Sequence, residues 1–302
     1  MLFQEFTQTV EAQVKELAGE QAEVSLSCVR KNNGVGLTAI HIREKGSNIY
    51  PTIYLDDYYA YYKDGMSLEK IVSDIMKLNK EKKLKSNFTV TDFSELDKVR
   101  KTICFKLIHA EKNKELLEDV PHLSFLDLAI VFYCSVEMEE YGKGTILIHN
   151  SHLSLWNITK EELVRIAKIN TPKLLPCRIR SMESVLKEMM SEALFAKEVA
   201  GADSLPLFVM TNSEGCFGAS VILYPDVLAD FAGYCNCNLM IIPSSVHEVL
   251  VVPAIGSMGA EDYNEMIQDT NQNHVAQVDV LSDHVYYFDR KSGEITIPSA
   301  CS

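Results

Sequence analysis

The stretch NLMIIPSSVHEVLVVP, residues 238–253, sets a serine pair, a histidine and a glutamate between two apolar runs, Leu239–Ile242 and Val249–Val252. Ser244, Ser245, His247 and Glu248 are types that can supply a nucleophile, a general base or a metal ligand. Their spacing argues against each role. Adjacent residues of an extended segment face opposite sides, so His247 and Glu248 cannot aim at one atom from a strand. The second histidine one turn on, which HExxH zinc sites need, is absent. No glycine flanks the serines as a nucleophile elbow demands. The favoured reading is a turn between two buried strands, with the hydroxyls satisfying turn N–H groups. A ligand-contact role for His247 stays open, because polar loops at strand ends often carry function.

Five other places hold chemistry-bearing residues. Asp127 lies inside the apolar run SFLDLAIVFY. A carboxylate there is costly to bury alone, so it is expected near the strand's start, facing water; if buried, it needs an Arg, a His or backbone donors and becomes a site candidate. HNSHLSLW holds His149, Asn150, His152 and Trp156. His-x-x-His can chelate a metal on a helix, but this stretch reads as a strand end and turn, which parts the rings. Trp156 is read as packing at the domain junction. NSEGCFGAS, beginning at Asn212, has two glycines before an expected helix and could turn amides toward an anion. It lacks both G-x-G-x-x-G and a P-loop lysine, so a plain strand-to-helix connection stands beside that reading. Cys235-Asn236-Cys237 lacks the C-x-x-C spacing. Finally, Tyr54, Tyr58 and Tyr62 recur at helical spacing within a tyrosine cluster that also includes Tyr50, Tyr59 and Tyr61. Such a face is either an interaction surface or a helix lying over a small sheet with its hydroxyls in water.

These residues are positioned by a chain of 302 residues, 47% hydrophobic and 24% charged, an ordinary globular composition long enough for one or two cores. The net charge of −13 repels phosphate backbones and sets nucleic acid aside as a partner. The basic run Lys77–Lys85 is read as the solvated end of a helix. No apolar run spans a bilayer, and the start lacks the order of a signal peptide, reading instead as an amphipathic helix. The eight cysteines sit mostly in apolar runs and are expected as thiols in the cytoplasm.

Strands are expected at 22–30, 36–43 and 48–55, with a turn at Lys31–Gly34. A short helix capped by Asp56 or Asp57 should follow, then a longer one capped by Ser67. The stretch 88–119 is mixed, with Ile103–His109 apolar enough for a strand. A long strand is read over 123–136, a return strand over 145–150, and a helix over 157–170 opened by the Thr159/Glu162 capping box. Ser181 opens a helix to about Val199, and another covers 219–232, with a restart at Pro225 as an alternative. Strands at 207–212, 239–242 and 249–252, a helix at 261–271 and a closing hairpin at 285–297 complete the chain. The order argues for an α+β chain in two parts, with mixed, largely antiparallel sheets packed with helices: 1–118 and 119–302, divided at EDVP.

YPTIYLDDYY, FKLIHAEKNKELLEDVPH, FLDLAIVFY, ILIHNSHLSLWNIT, VMTN, GASVILYPDVLADFA and IIPSSVHEVLVVP, in that order, resemble a bacterial family catalogued only as a domain of unknown function, over about residues 5–290. The part from Leu126 onward is similar to a second uncharacterised family, of Gram-positive bacteria. Neither resemblance implies an activity or a site residue. No complete acid/base, nucleophile, metal or cofactor set can be assembled from the sequence. The expected function is therefore a non-enzymatic module binding another protein. The alternative is a hydrolase-type enzyme whose site gathers His247, Glu248, Asn212 and Asp127 at strand ends.

Overall fold

Apolar spacing builds the first core. In the computed structural model, which describes residues 1–44, 51–81, 93–138, 142–189, 206–256 and 258–298, helix α1 (Phe3–Ala18) buries Phe6, Val10 and Val14, four residues apart. Strands β1 (Ala22–Arg30) and β2 (Gly36–Glu44) pair antiparallel, Val24 opposite Ile42 and Leu26 opposite Ile40. Their turn uses Asn33 and Gly34, both at positive φ. The edge strand β3 (Thr52–Tyr54) completes a three-stranded sheet. The part of its expected span before Pro51 lies outside the described residues. Helix α2 (Leu55–Lys63) is not capped by Asp56 or Asp57. Asp56 instead accepts the main-chain N–H of Thr38 on β2, 2.8 Å away. Ser67 does cap α3 (Leu68–Glu81), its Oγ taking the Lys70 N–H at 3.3 Å. Ile40, Ile53, Leu55, Ile71 and Ile75 join the α1 residues in one core. Each such side chain contributes about 1.5–3 kcal/mol when fully buried.

The chain gathers into two compact units, Met1–Thr89 with Glu137–Gly144, and Val90–Val136 with Thr145–Ser302. Residues 90–118 thus fall in the second unit. After the short helix α4 (Leu96–Val99), the buried strand β4 (Ile103–His109) pairs with residues 128–134, from Ile103↔Cys134 to His109↔Leu128, a ladder that a division at 118/119 would cut. Helix α5 (Lys114–Asp119) follows. The long strand expected over 123–136 is a hairpin, β5 (His122–Phe125) and β6 (Leu128–Met138). Leu126 turns the chain at φ 54, and Asp127 follows it in the turn. Periodicity missed this because both arms are apolar and the reversal falls on a leucine, a type that rarely takes positive φ.

Strand β7 (Gly142–Leu147) pairs with β6. Next comes α6 (Asn150–Trp156), a helix where a strand end and turn were expected. Thr159 opens α7 (Lys160–Leu174) and accepts the Glu162 N–H at 3.2 Å, while the Glu162 carboxylate bonds Arg100 at 3.1 Å. That helix runs past Pro172. Thr171 Oγ1 donates to Ala167 O and accepts the Phe105 N–H of β4, which ties the last turn to the sheet. Then β8 (Cys177–Ser181) and α8 (Met182–Met189) follow; the rest of that helix's expected span, to Val199, lies outside the described residues.

Strand β9 (Phe208–Asn212) leads to a 3-10 turn at Gly218–Leu223 and then α9 (Val227–Cys235), so the helical stretch expected over 219–232 is divided at Pro225, where the sequence allows a restart. Strands β10 (Leu239–Ile242) and β11 (Val249–Pro253), helix α10 (Ala260–Asn273) and strands β12 (Tyr286–Phe288) and β13 (Ile295–Thr296) close the chain. The six-stranded sheet has the order β13-β12-β10-β11-β9-β8 with every described pairing antiparallel. The fold is α+β, with open antiparallel sheets.

Candidate functional site

The β10–β11 register, Leu239↔Pro253 to Ile242↔Leu250, makes residues 243–248 a hairpin connection. Ser245 shapes it. Its Oγ accepts the His247 N–H at 3.1 Å, and its own N–H donates to Glu248 O at 3.2 Å. Buried Val246 anchors the loop and donates its N–H to Asp279 O at 2.8 Å. Ser244 and Glu248 are half-buried in the same loop.

The His247 ring is held on both sides. Nδ1 accepts the Phe217 main-chain N–H at 3.2 Å, so the ring proton sits on Nε2, which donates to Asp279 Oδ1 at 3.2 Å. The Phe217 ring stacks on the imidazole, centroids 5.7 Å apart and planes 15° apart. Lys106 Nζ lies 3.9 Å from the same Phe217 centroid, a cation–π contact. Asn212, buried at the end of β9, folds the intervening loop. Its Nδ2 donates to Cys216 O at 2.8 Å and its Oδ1 accepts the Glu214 N–H at 3.0 Å. The structure therefore joins Asn212 and His247 through one loop, as an internal brace. Thr211 adds a hydrogen bond to His247 O at 2.7 Å. Gly218 fits between them because it lacks a side chain: a Cβ there would lie 2.1 Å from Thr211 Oγ1 and 2.5 Å from His247 O.

Asp127 belongs to a different constellation. Its Oδ2 accepts from Ser282 Oγ at 2.6 Å and from His284 Nδ1 at 3.1 Å, and its Oδ1 accepts from Tyr286 Oη at 2.7 Å. Ser282 and Tyr286 are fully buried. Burial first, and the Asp127 carboxylate second, push the Tyr286 phenol far above its ordinary range. Asn271 Nδ2 holds Ser282 O at 2.9 Å and Asp283 Oδ1 at 2.8 Å. His109, at the end of β4, senses Asp127, Asp283, His284 and Lys112, and its imidazole is held below the ordinary histidine value chiefly by burial. Lys112 Nζ stands 3.7 Å from Asp283. Asp127 shares none of these partners with His247.

Trp156 packs within the second unit, on Phe93 and His152, and its Nε1 donates to Phe93 O at 2.9 Å. At the head of α6, His152 Nδ1 accepts the His149 N–H at 3.0 Å and His149 Nδ1 bonds Asp119 at 2.6 Å. Burial, reinforced by His149, holds the His152 imidazole below its ordinary value. Among the described residues no group of three or more His, Cys, Asp or Glu side chains is placed to hold a metal ion.

In the first unit, α2 splits its tyrosines. Tyr59 and Tyr62 pack on Phe6, with centroids 5.2 and 5.3 Å away. Tyr58 is half-buried and meets Tyr61 edge-on at 6.2 Å, while Tyr61 is 52% exposed. Burial first, then Asp74, Tyr61 and Asp57, raise the Tyr58 phenol above its usual value. Tyr54 lies under Lys31 Nζ, 4.4 Å from the ring centre.

Sequence reasoning missed Asp279, Phe217, Ser282, His284 and Tyr286. One signal was present: Ser282, His284 and Tyr286 alternate at two-residue spacing just before a strand, which places them on one side of an extended chain. Their carboxylate partner is 155 or more positions away, so no local pattern could supply it.

Residues 3–290 match a family described as Family of unknown function (DUF5688). The chain belongs to this family. No curated protein and no solved structure matches it. No described helix of this family member is long and apolar enough to cross a membrane.

Proposed function

We propose that the chain is a protein-binding module of the cytoplasm, with the α2 tyrosine face as its contact surface. One observation carries this reading: α2 commits Tyr59 and Tyr62 to the core and leaves Tyr61 largely in water beside Tyr58. Exposed tyrosines supply large contact area at low entropic cost, and aromatic residues concentrate binding energy. Asp57 adds negative charge at Tyr58, while Asp74 is paired with Lys70 at 2.6 Å, so the face suits a partner offering Lys or Arg groups, which also meet aromatic faces favourably. The free thiols among the described cysteines support a reducing, cytoplasmic setting.

Fluorescence anisotropy with a labelled Lys/Arg-rich peptide tests the reading. Binding is expected to weaken about tenfold in Tyr61→Ser, which leaves net charge unchanged, and an acidic peptide is expected not to bind. Equal binding by Tyr61→Ser and the parent chain would show only charge-driven attraction and defeat the proposal. The hydrolase-type alternative around His247 and Glu248 has less behind it, because both ring nitrogens of His247 are already engaged.

A further inference from the structure

Among the described residues, three imidazoles of the second unit bond a carboxylate, and they are not equivalent. His247 has no nitrogen left to act with. His149 leans on Asp119, whose side chain is 68% exposed, so water competes for that carboxylate. His284 leans on Asp127, which is only 20% exposed and is fixed by two further donors, the buried hydroxyls of Ser282 and Tyr286. A carboxylate accepts hydrogen bonds, so His284 Nδ1 carries the proton and Nε2 carries the lone pair. The side chain is 47% exposed. A carboxylate that pins one ring nitrogen and leaves the other basic is the orientation in which histidine takes protons during catalysis. Leu126, just before Asp127, holds φ 54, a left-handed conformation that a non-glycine residue rarely adopts.

We propose that His284 is the general base of a water-activating site for carboxylic esters, with Asp127 as its positioning residue. The site goes beyond the α2 binding face and does not depend on it. His284 Nε2 takes a proton from water as the water oxygen bonds to the acyl carbon. The bond from acyl carbon to leaving oxygen then breaks, and the proton passes from Nε2 to that oxygen, giving acid and alcohol. Ser282 is not the nucleophile, since its hydroxyl is spent on Asp127. Magnitude selects the substrate: a positioned base contributes about 10²–10⁴-fold, enough for esters and far too little for phosphate esters. Among the described residues, His109 faces His284, Asp127, Asp283 and Lys112, and Lys112 Nζ stands 3.7 Å from Asp283.

The test is hydrolysis of p-nitrophenyl acetate by the full chain. His284→Gln is expected to lose about 10²-fold in rate with its circular dichroism spectrum unchanged, while His149→Gln keeps the parent rate. His284→Gly should regain turnover with added imidazole beyond the hydrolysis that the same imidazole gives in buffer or with the His284→Gln chain, a rescue that a structural role would not give. Asp127→Asn should lower kcat at constant KM; should it fail to fold, the His284 variants still decide. Equal rates for His284→Gln and the parent, or equal losses in the His149 and His284 variants, would overturn the assignment.

Discussion

The Phe217 main-chain N–H donates to His247 Nδ1 across 3.2 Å while the Phe217 ring stacks on the same imidazole. One residue thus braces another twice, and Asp279 holds the ring from its far nitrogen. The ring ties together the loop after β9, the β10–β11 connection and the segment carrying Asp279.

Replacing this ring should therefore be a stability event. His247→Ala leaves the Phe217 N–H and the Asp279 carboxylate without their partner. It is expected to lower unfolding stability by about 1–3 kcal/mol in urea titration. A fully stable His247→Ala protein would refute the bracing role.

Gly218→Ala should be worse than its size suggests. The added methyl meets Thr211 Oγ1, His247 O and Asn212 N, and two of these are backbone atoms that cannot swing aside. A loss of about 3 kcal/mol is expected. The double variant Thr211→Ala/Gly218→Ala should not recover it, because His247 O stays in the way; full recovery would place the conflict in the threonine alone.

Around Asp127, the prediction concerns coupling. Asp127→Ala strands the buried Ser282 and Tyr286 hydroxyls, at about 1–3 kcal/mol for each unsatisfied group, whereas Tyr286→Phe removes only one bond of about 1 kcal/mol. In the double variant the two losses should sum to less than their parts. Strict additivity in a double-mutant cycle would deny the shared hydrogen bond.

Thiols and imidazoles set the pH limits. Burial pushes Cys104 and Cys177 up to about 11 and Cys134 up to about 12 from 9.0. The unfolded chain therefore releases these protons first, so stability is full below pH 9.0 and falls as pH rises from there toward those values. On the acid side, His109 and His152 are lowered by burial from 6.5, so the unfolded chain takes up protons first and stability falls once pH drops below 6.5. Urea midpoints across pH check both slopes. A thiol-reactive dye at pH 8 should label exposed Cys28 and Cys216 well before buried Cys104 and Cys134.

Much of the fold could be read from local signals. Ser67 and Thr159 cap their helices through side-chain oxygens, and Asn33-Gly34 turns the first hairpin, because caps and turns are decided within a few residues. The reversal at Leu126 could not be read, since nothing in FLDL marks a turn. The helix at 150–156 was hidden because its opening hydrogen bonds use histidines in place of the usual serine or aspartate. The site fared worse for the same reason. His247 and Asn212 were visible as polar insertions in apolar runs, yet what they touch, and what Asp127 touches, is brought there by tertiary packing.

Strand β10 pairs with its sequence neighbour β11 on one side and with β12, some 45 residues downstream, on the other. Until residues 286–288 dock, the apolar LMII segment offers a bare row of amide and carbonyl groups. Copies cut or still unfinished before residue 286 would therefore be the ones prone to stick together, and the β12–β13 hairpin acts as the fold's own guard against aggregation.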